Sequence, residues 1–288
     1  MVSNDKDYNL IIGRHCPFKA PDYLSGAIEE SLSYGANALM VYLGAPQNTY
    51  RKPLSELKIT EFHQTLKKNN FSIDNIIIHG SYIVNLANIT KKEMFSWSVD
   101  FLQKEINRME EIGLKTIVIH PGSSVNASVE ESLLQLIKGI NLVLAKNSKI
   151  RIALETMSGR GSEIGKNFQQ LKYIIDNIEK KKQVGVCWDT CHLYSAGYDI
   201  KSDLDAVIKE FERLIGLDKL WVIHVNDSLG ELRSKVDRHE NIGYGKIGLE
   251  ALRKLIWHPK LNDIPKILET PRERDYFLKE IKVLKGEV

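Results

Sequence analysis

The chain has few cysteines, few prolines, no long apolar run and no strong charge of either sign. Each scarcity removes a class of protein. Only Cys16, Cys187 and Cys191 occur among 288 residues, an odd and sparse set. That argues against a disulfide framework and fits a reducing compartment, so a cytoplasmic location is expected. No apolar stretch approaches the roughly 20 residues that span a bilayer, so no membrane partner is expected. The opening MVSNDKDYNLIIG carries acids early and lacks the apolar core of a secretory signal. Forty Lys and Arg stand against 37 Asp and Glu, for a formal net charge of +3. That is too mild for a nucleic-acid tail or a polybasic anchor, although a local basic patch is compatible with it. Eight prolines and 19 glycines form no linker-like tract, and no exact repeat or low-complexity segment occurs. The length suits two ordinary domains or one α/β barrel, and the even composition favours one domain over residues 1–288.

What is present is a regular alternation. Strand-like runs cover residues 10–14, 38–43, 76–79, 116–120, 152–155, 184–189, 220–225 and 264–269. Between them lie charge-rich amphipathic stretches, clearest over 93–111 and 129–144, with apolar residues at three- and four-residue steps. Eight strands alternating with helices predict a single (β/α)8 TIM barrel with its site at the C-terminal ends of the strands. A doubly wound open sheet is the alternative, but such a sheet concentrates its site at one switch point.

Six consecutive runs end in a histidine or a carboxylate: His79, His120, Glu155, Asp189, His224 and Glu269. A parallel barrel gathers these endings into one mouth. Two more histidines sit beside acids, His192 in DTCH after Asp189 and His239 in DRH after Asp237. A single strand-end histidine is more often a hydrogen-bonded structural residue than a ligand. Five together, each near an acid, point to metal, and the set holds more ligands than one ion needs. Glu155 and Glu269 share the context LET. A carboxylate at the end of a buried strand is costly unless it pairs with a barrel Lys or Arg or binds a metal. A carboxylate also bridges two cations, and two close metals clamp the oxygens of phosphoester hydrolysis. Mixed imidazole and carboxylate ligands favour Zn²⁺ or a similar transition ion over Mg²⁺.

Seven segments carry a resemblance: HGSYIVNLA from His79, HPGS from His120, LETMSGRGSEIG from Leu154, GVCWDTCHLYSAGYD from Gly185, HVNDS from His224, VDRHENIGYGKIG from Val236 and ILET from Ile267. In this order, over nearly the whole chain, they resemble the endonuclease IV family of apurinic/apyrimidinic endonucleases. The resemblance implies a (β/α)8 barrel with three zinc ions. By motif position His79 and His120 would bind the first, with Glu155 bridging it to the second. Asp189, His224 and Glu269 would complete the second, and His192, Asp237 and His239 would hold the third. Glu155, Asp189 and Glu269 are the implied catalytic carboxylates. The implied reaction is hydrolysis 5′ to an abasic site in duplex DNA, leaving a 3′-hydroxyl and a 5′-deoxyribose phosphate. Family members also trim blocked 3′ ends. A monomer suffices for this chemistry.

An abasic nucleotide has no base to unstack, so flipping it costs least. The resemblance makes Tyr82 and Ile83 the wedge into the opened stack, since inserted apolar groups support kinked DNA; barrel-mouth packing is the plainer alternative. Gln47 and Asn48 in GAPQNT are placed to touch the DNA backbone or fill the gap. Some family members carry an arginine near Asn48. Where the family often has a lysine and, four residues on, a glycine, this chain has Leu229 and Arg233. Leu229 has no charge to offer a phosphate, and Arg233 is the candidate to supply it. Trp188 replaces a small aliphatic residue.

Smaller signals take plainer readings. GSEIGK (161–166) is one residue short of a Walker A and is followed by Asn167, so it reads as a loop into a helix N-terminus. Lys180, Lys181 and Lys182 read as a solvated run ending a helix and complementing its dipole. Cys187 and Cys191 read as structural thiols, Cys187 facing away from Asp189 or packing inside the barrel. His15 ends the first strand as a supporting or packing residue. Two other functions remain. A sugar isomerase or epimerase also places Glu, Asp and His at strand ends but needs no third metal from a DRH loop. A noncatalytic DNA-damage binder requires a broken ligand position, and none is found.

Overall fold

The computed structural model describes residues 10–146, 149–271 and 277–287. Residues 1–9, which carry most of the stretch read as lacking a signal core, lie outside the described residues. Short runs rich in branched apolar residues form the strands β1 (Ile12–His15), β2 (Ala38–Val41), β3 (Ile76–His79), β4 (Thr116–Ile119), β5 (Arg151–Glu155), β6 (Val184–Asp189) and β7 (Leu220–His224). Two short strands follow, β8 (Asp227–Ser228) and β9 (His239–Glu240), and then β10 (Lys266–Leu268). The helices are α1 (Tyr23–Ser33), α2 (Ile59–Lys68), α3 (Lys92–Ile112), α4 (Val129–Ala145), α5 (Phe168–Asn177), α6 (Thr190–Ala196), α7 (Leu204–Leu214), α8 (Leu249–Ile256) and α9 (Phe277–Lys285). Strands β1 to β7 and β10 close a parallel barrel in the order β1-β10-β7-β6-β5-β4-β3-β2. This is the (β/α)8 barrel that the alternation predicts.

Strand ends shift where side chains take over the ladder bonds. The first run starts at Ile12 rather than residue 10 because Asn37 captures both Ile12 N–H (2.9 Å) and Leu10 C=O (3.0 Å). The last shortens to Lys266–Leu268. Pro265 has no N–H to give, and Glu269 N–H donates to Asn226 Oδ1 at 2.9 Å.

Alternation divides each strand between two cores. Leu39, Ile78, Ile117, Leu154, Val186 and Ile223 face the helices in the large outer core. Ala38, Met40, Ile77, Val118, Ala153, Cys187, Val222 and Ile267 form a smaller inner core. Cys187 therefore packs inside the barrel, on the same side as Asp189. Two residues beyond the inner core lie Tyr42, His79, His120, Glu155, Asp189, His224 and Glu269, so alternation aims all seven into the mouth. Trp188 points outward, with Phe168 (centroids 5.9 Å) and Phe211 (5.1 Å) against it. Each such aromatic pair adds about 0.5–1.5 kcal/mol beyond its buried area.

Local signals set the helix ends. Ser128 caps α4 by accepting from Glu131 N–H and donating to the Glu131 carboxylate. Gly113, at φ +90°, ends α3 in the left-handed conformation that lacks a Cβ penalty. The 161–166 loop does lead into α5, whose N-cap is Asn167, accepting from Gln170 N–H. The basic run is a correction: α5 ends at Asn177, and Lys180 lies beyond it. Lys180 Nζ instead donates to Leu144 C=O at 2.7 Å, in the last turn of α4. The positive charge complements a neighbouring helix rather than the one it follows. No helix among the described residues is long and apolar enough to cross a membrane.

Candidate metal centre

The site begins with strand register. His79, Glu155, Asp189 and His224 are the last residues of β3, β5, β6 and β7. His120 and Glu269 each lie one residue past β4 and β10. Their rigid strands place the ligand atoms of His79, His120 and Glu155 within 4.8 Å of one another, and likewise those of Glu155, Asp189, His224 and Glu269. Glu155 belongs to both groups. A third group, His192, Asp237 and His239, has a different origin. Asp189 is the N-cap of α6 and accepts from His192 N–H at 2.8 Å, so the D-x-x-H spacing is a capping geometry that turns His192 toward the mouth. The β8–β9 pair, with Ser228 opposite His239, folds the DRH loop back over it.

The imidazoles are oriented by backbone carbonyls. His79 Nδ1 bonds Gly80 C=O at 2.8 Å, His192 Nδ1 bonds Thr156 C=O at 2.9 Å and His239 Nδ1 bonds Glu269 C=O at 3.2 Å. In each case the other nitrogen turns to carboxylates, as ligating histidines do. Glu155 Oε2 lies 3.2 Å from both His79 Nε2 and His120 Nε2. His224 Nδ1 lies 3.2 Å from Glu155 Oε1 and 3.1 Å from Glu269 Oε2. His192 Nε2 lies 3.1 Å from Asp237 Oδ1, and His239 Nε2 is 3.9 Å from the same oxygen. Among the described residues, the ion-pair partners of Glu155 and Glu269 are imidazoles, and no Lys or Arg reaches either.

This arrangement fits resident metal. Two ligands each about 2.0–2.1 Å from one tetrahedral Zn²⁺ stand about 3.3 Å apart, close to the spacings here. His239 Nε2 is also buried without a hydrogen-bond partner. The floor of the site, Glu155, Asp189 and His224, is shut from solvent, while the side chains of His120 and Asp237 are about one-third exposed at the rim. Electrostatics mark the same residues. Burial disfavours the Glu155 carboxylate, yet His224 and His120 hold its pKa well below the usual range. Burial opposes a charge on His192 and His224, yet the surrounding acids raise both pKa values well above the ordinary imidazole value. Burial, then Glu269 and Glu155, keeps the Tyr42 phenol neutral. Burial pushes the Cys187 and Cys191 thiols up to about 12 and about 11, in keeping with structural rather than reactive roles.

The family model of xylose isomerase-like TIM barrels matches residues 28–287. A probable endonuclease 4 of Geobacillus kaustophilus is 50% identical over 262 residues, covering 91% of this chain and 87% of that protein. The chain belongs to the endonuclease IV family. The endonuclease IV of Thermus thermophilus superposes with a TM-score of 0.84 at 30% identity, over 96% of this chain and 97% of that one. A D-tagatose 3-epimerase-like protein shares the barrel at a TM-score of 0.71 and 18% identity, over 96% of each chain. At that identity the likeness carries the fold alone.

Within this endonuclease IV-type barrel, the residues read as DNA contacts lie on rim loops. Tyr82 is 53% exposed and Ile83 half-buried, while Gln47, Asn48 and Arg233 are exposed. Ser81 Oγ donates to Pro46 C=O and ties the Tyr82 loop to the Gln47 loop. Arg233 takes φ +66° and its N–H caps Tyr194 C=O of α6 at 3.2 Å. Sequence reasoning missed three supports. Asn226 Nδ2 donates to Asp189 Oδ2 at 2.7 Å, Thr156 Oγ1 accepts from Asp189 N–H at 2.9 Å, and Arg51 braces the Asn48 loop from an ion pair with buried Glu105 at 2.8 Å. The motifs HVNDS and LET contain the first two. Only the barrel register shows what they touch.

Proposed function

We propose that this chain is a zinc-dependent phosphodiester hydrolase of base-excision repair. It cleaves duplex DNA 5′ to abasic sites, leaving a 3′-hydroxyl and a 5′-deoxyribose phosphate, and it also trims blocked 3′ ends. One barrel over residues 1–288, acting as a cytoplasmic monomer, suffices. The observation that carries the reading is the linked triple cluster: two groups share Glu155, and a third, around His192, Asp237 and His239, stands beside them. A sugar isomerase has no use for the third. The relatives named endonuclease 4 and the endonuclease IV structure support the same reading.

His79, His120 and Glu155 would hold one ion, Glu155, Asp189, His224 and Glu269 a second, and His192, Asp237 and His239 a third. When bound, such ions lower the pKa of water toward neutrality and neutralise a departing oxyanion. The protein supplies position. Asn226 and Thr156 fix Asp189, and carbonyls fix three imidazoles. Glu269, less buried than Glu155, is placed to orient or accept a proton. Tyr82 and Ile83 wedge the opened duplex, Gln47 and Asn48 fill the gap, and Arg233 contacts phosphate.

Cleavage of a duplex carrying one abasic analogue tests this, with and without prolonged chelation, beside Glu155→Gln. The expected outcome is a single incision 5′ to the lesion, lost on chelation and in the variant, with about three ions per chain. No incision by folded, fully metallated protein sinks the reading. One or two ions per chain would turn attention to sugar substrates.

A further inference from the structure

Every barrel strand delivers one side chain to the mouth at the level of the ligands, and six of the eight are the proposed metal ligands. The other two are His15, ending β1, and Tyr42, one residue past β2. Tyr42 stands two residues beyond inner-core Met40, as His79 stands beyond Ile77 and Glu269 beyond Ile267. Its ring is held on both sides, with centroids 5.0 Å from His15 and 5.0 Å from His79. The phenol hydroxyl makes no hydrogen bond to any described residue. Tyr42 lines a cavity of about 240 Å³ whose walls include Arg14, His15, His239 and Glu269. Arg14, only 5% exposed, stacks its guanidinium 3.2 Å over the Phe277 ring and donates through Nε to His15 C=O.

The hydroxyl of this clamped, half-buried ring has no protein partner among the described residues and is available to an acceptor entering the cavity. Arg14 lines the same cavity, opposite the Glu269 carboxylate. The cavity opens beside two of the proposed metal ligands, which leaves room for the part of a substrate lying next to the reacting bond. We infer that Tyr42 is a substrate-contacting residue whose hydroxyl donates to a phosphoryl oxygen of the DNA strand held over the cluster. This rests on the hydrolase reading above.

Tyr42→Phe keeps the clamped ring and deletes only the hydroxyl. Zinc-loaded protein and variant are titrated with inorganic phosphate, and both are assayed on the abasic duplex. The expected result is unchanged metal content with phosphate affinity and kcat/KM each about tenfold lower, the size of one hydrogen bond to a charged group. Equal phosphate affinity in the two proteins overturns the inference. So does metal loss in the variant, because the ring would then be acting through His79. If the wild type binds phosphate but leaves the duplex uncut, the hydrolase reading fails while the phosphate titration still decides Tyr42.

Discussion

Protons and metal ions compete for the same nitrogens at the barrel mouth. Despite burial, neighbouring acids raise the pKa of His120, His192 and His224. A metal takes only the neutral imidazole. Loading the metal-free protein near pH 7 should therefore release protons, and apparent affinity should fall as pH drops. Calorimetric metal titration in two buffers of different ionisation enthalpy reads the protons released; none at pH 7 would contradict the geometry. The same groups shape metal-free stability. Their raised values stabilise the fold at lower pH and lose that effect as pH rises through them, while the depressed Glu155 and Glu269 lose theirs as pH falls. At this scale the ligands were legible because a His or carboxylate ending a buried strand is chemically out of place. Tyr42 and Asn226 were not, since a tyrosine or asparagine beside a strand looks like ordinary packing until register shows which face it occupies.

At the scale of elements, the loop that carries His239 toward the mouth is organised by one carboxylate. Buried Asp227 accepts from the backbone N–H groups of Ser228, Gly243, Gly245, Ile247 and Gly248, at 2.8–3.2 Å. No Lys or Arg pairs with it among the described residues; converging peptide dipoles stabilise the charge. Gly245 is required here, because a Cβ would meet the Asp227 carboxylate. Buried Glu280 holds the other end of the loop through Asn241 Nδ2 (2.8 Å) and Ile242 N–H (2.9 Å). Asp227→Asn removes the charge and half the acceptors. It should cost at least about 2 kcal/mol, read by urea unfolding, and should lower metal content by the ion at His239. Unchanged stability and metal content would show that the loop holds itself. The long helices were readable from periodicity, and α3 and α4 fall within one residue of the spans expected. The β8–β9 pair was not, because two-residue strands show no period.

Over the whole molecule, charge is unevenly placed. The mouth concentrates His and carboxylates that offset one another, while the opposite end of the barrel carries a buried cation. Lys266, the first residue of β10, is fully buried and donates to Leu261 C=O (2.5 Å) and Asn262 C=O (2.8 Å). Burial lowers its pKa to about 7. Unfolded, a lysine titrates near 10.4. Between those values the unfolded chain binds the extra proton, so stability rises with pH from about 7 to about 10. Below pH 7 the folded protein must bury the charge, at a cost on the order of a few kcal/mol. Lys266→Met isolates this effect. The two carbonyls lose a donor at every pH, a constant offset, while the charge penalty disappears only where it existed. Relative to wild type, the variant should be more favourable at pH 6 than at pH 10, by several kcal/mol in denaturant unfolding. A difference independent of pH would mean that Leu261 and Asn262 hold the ammonium charged without strain, and that the lower barrel tolerates a buried cation as readily as the mouth tolerates its carboxylates.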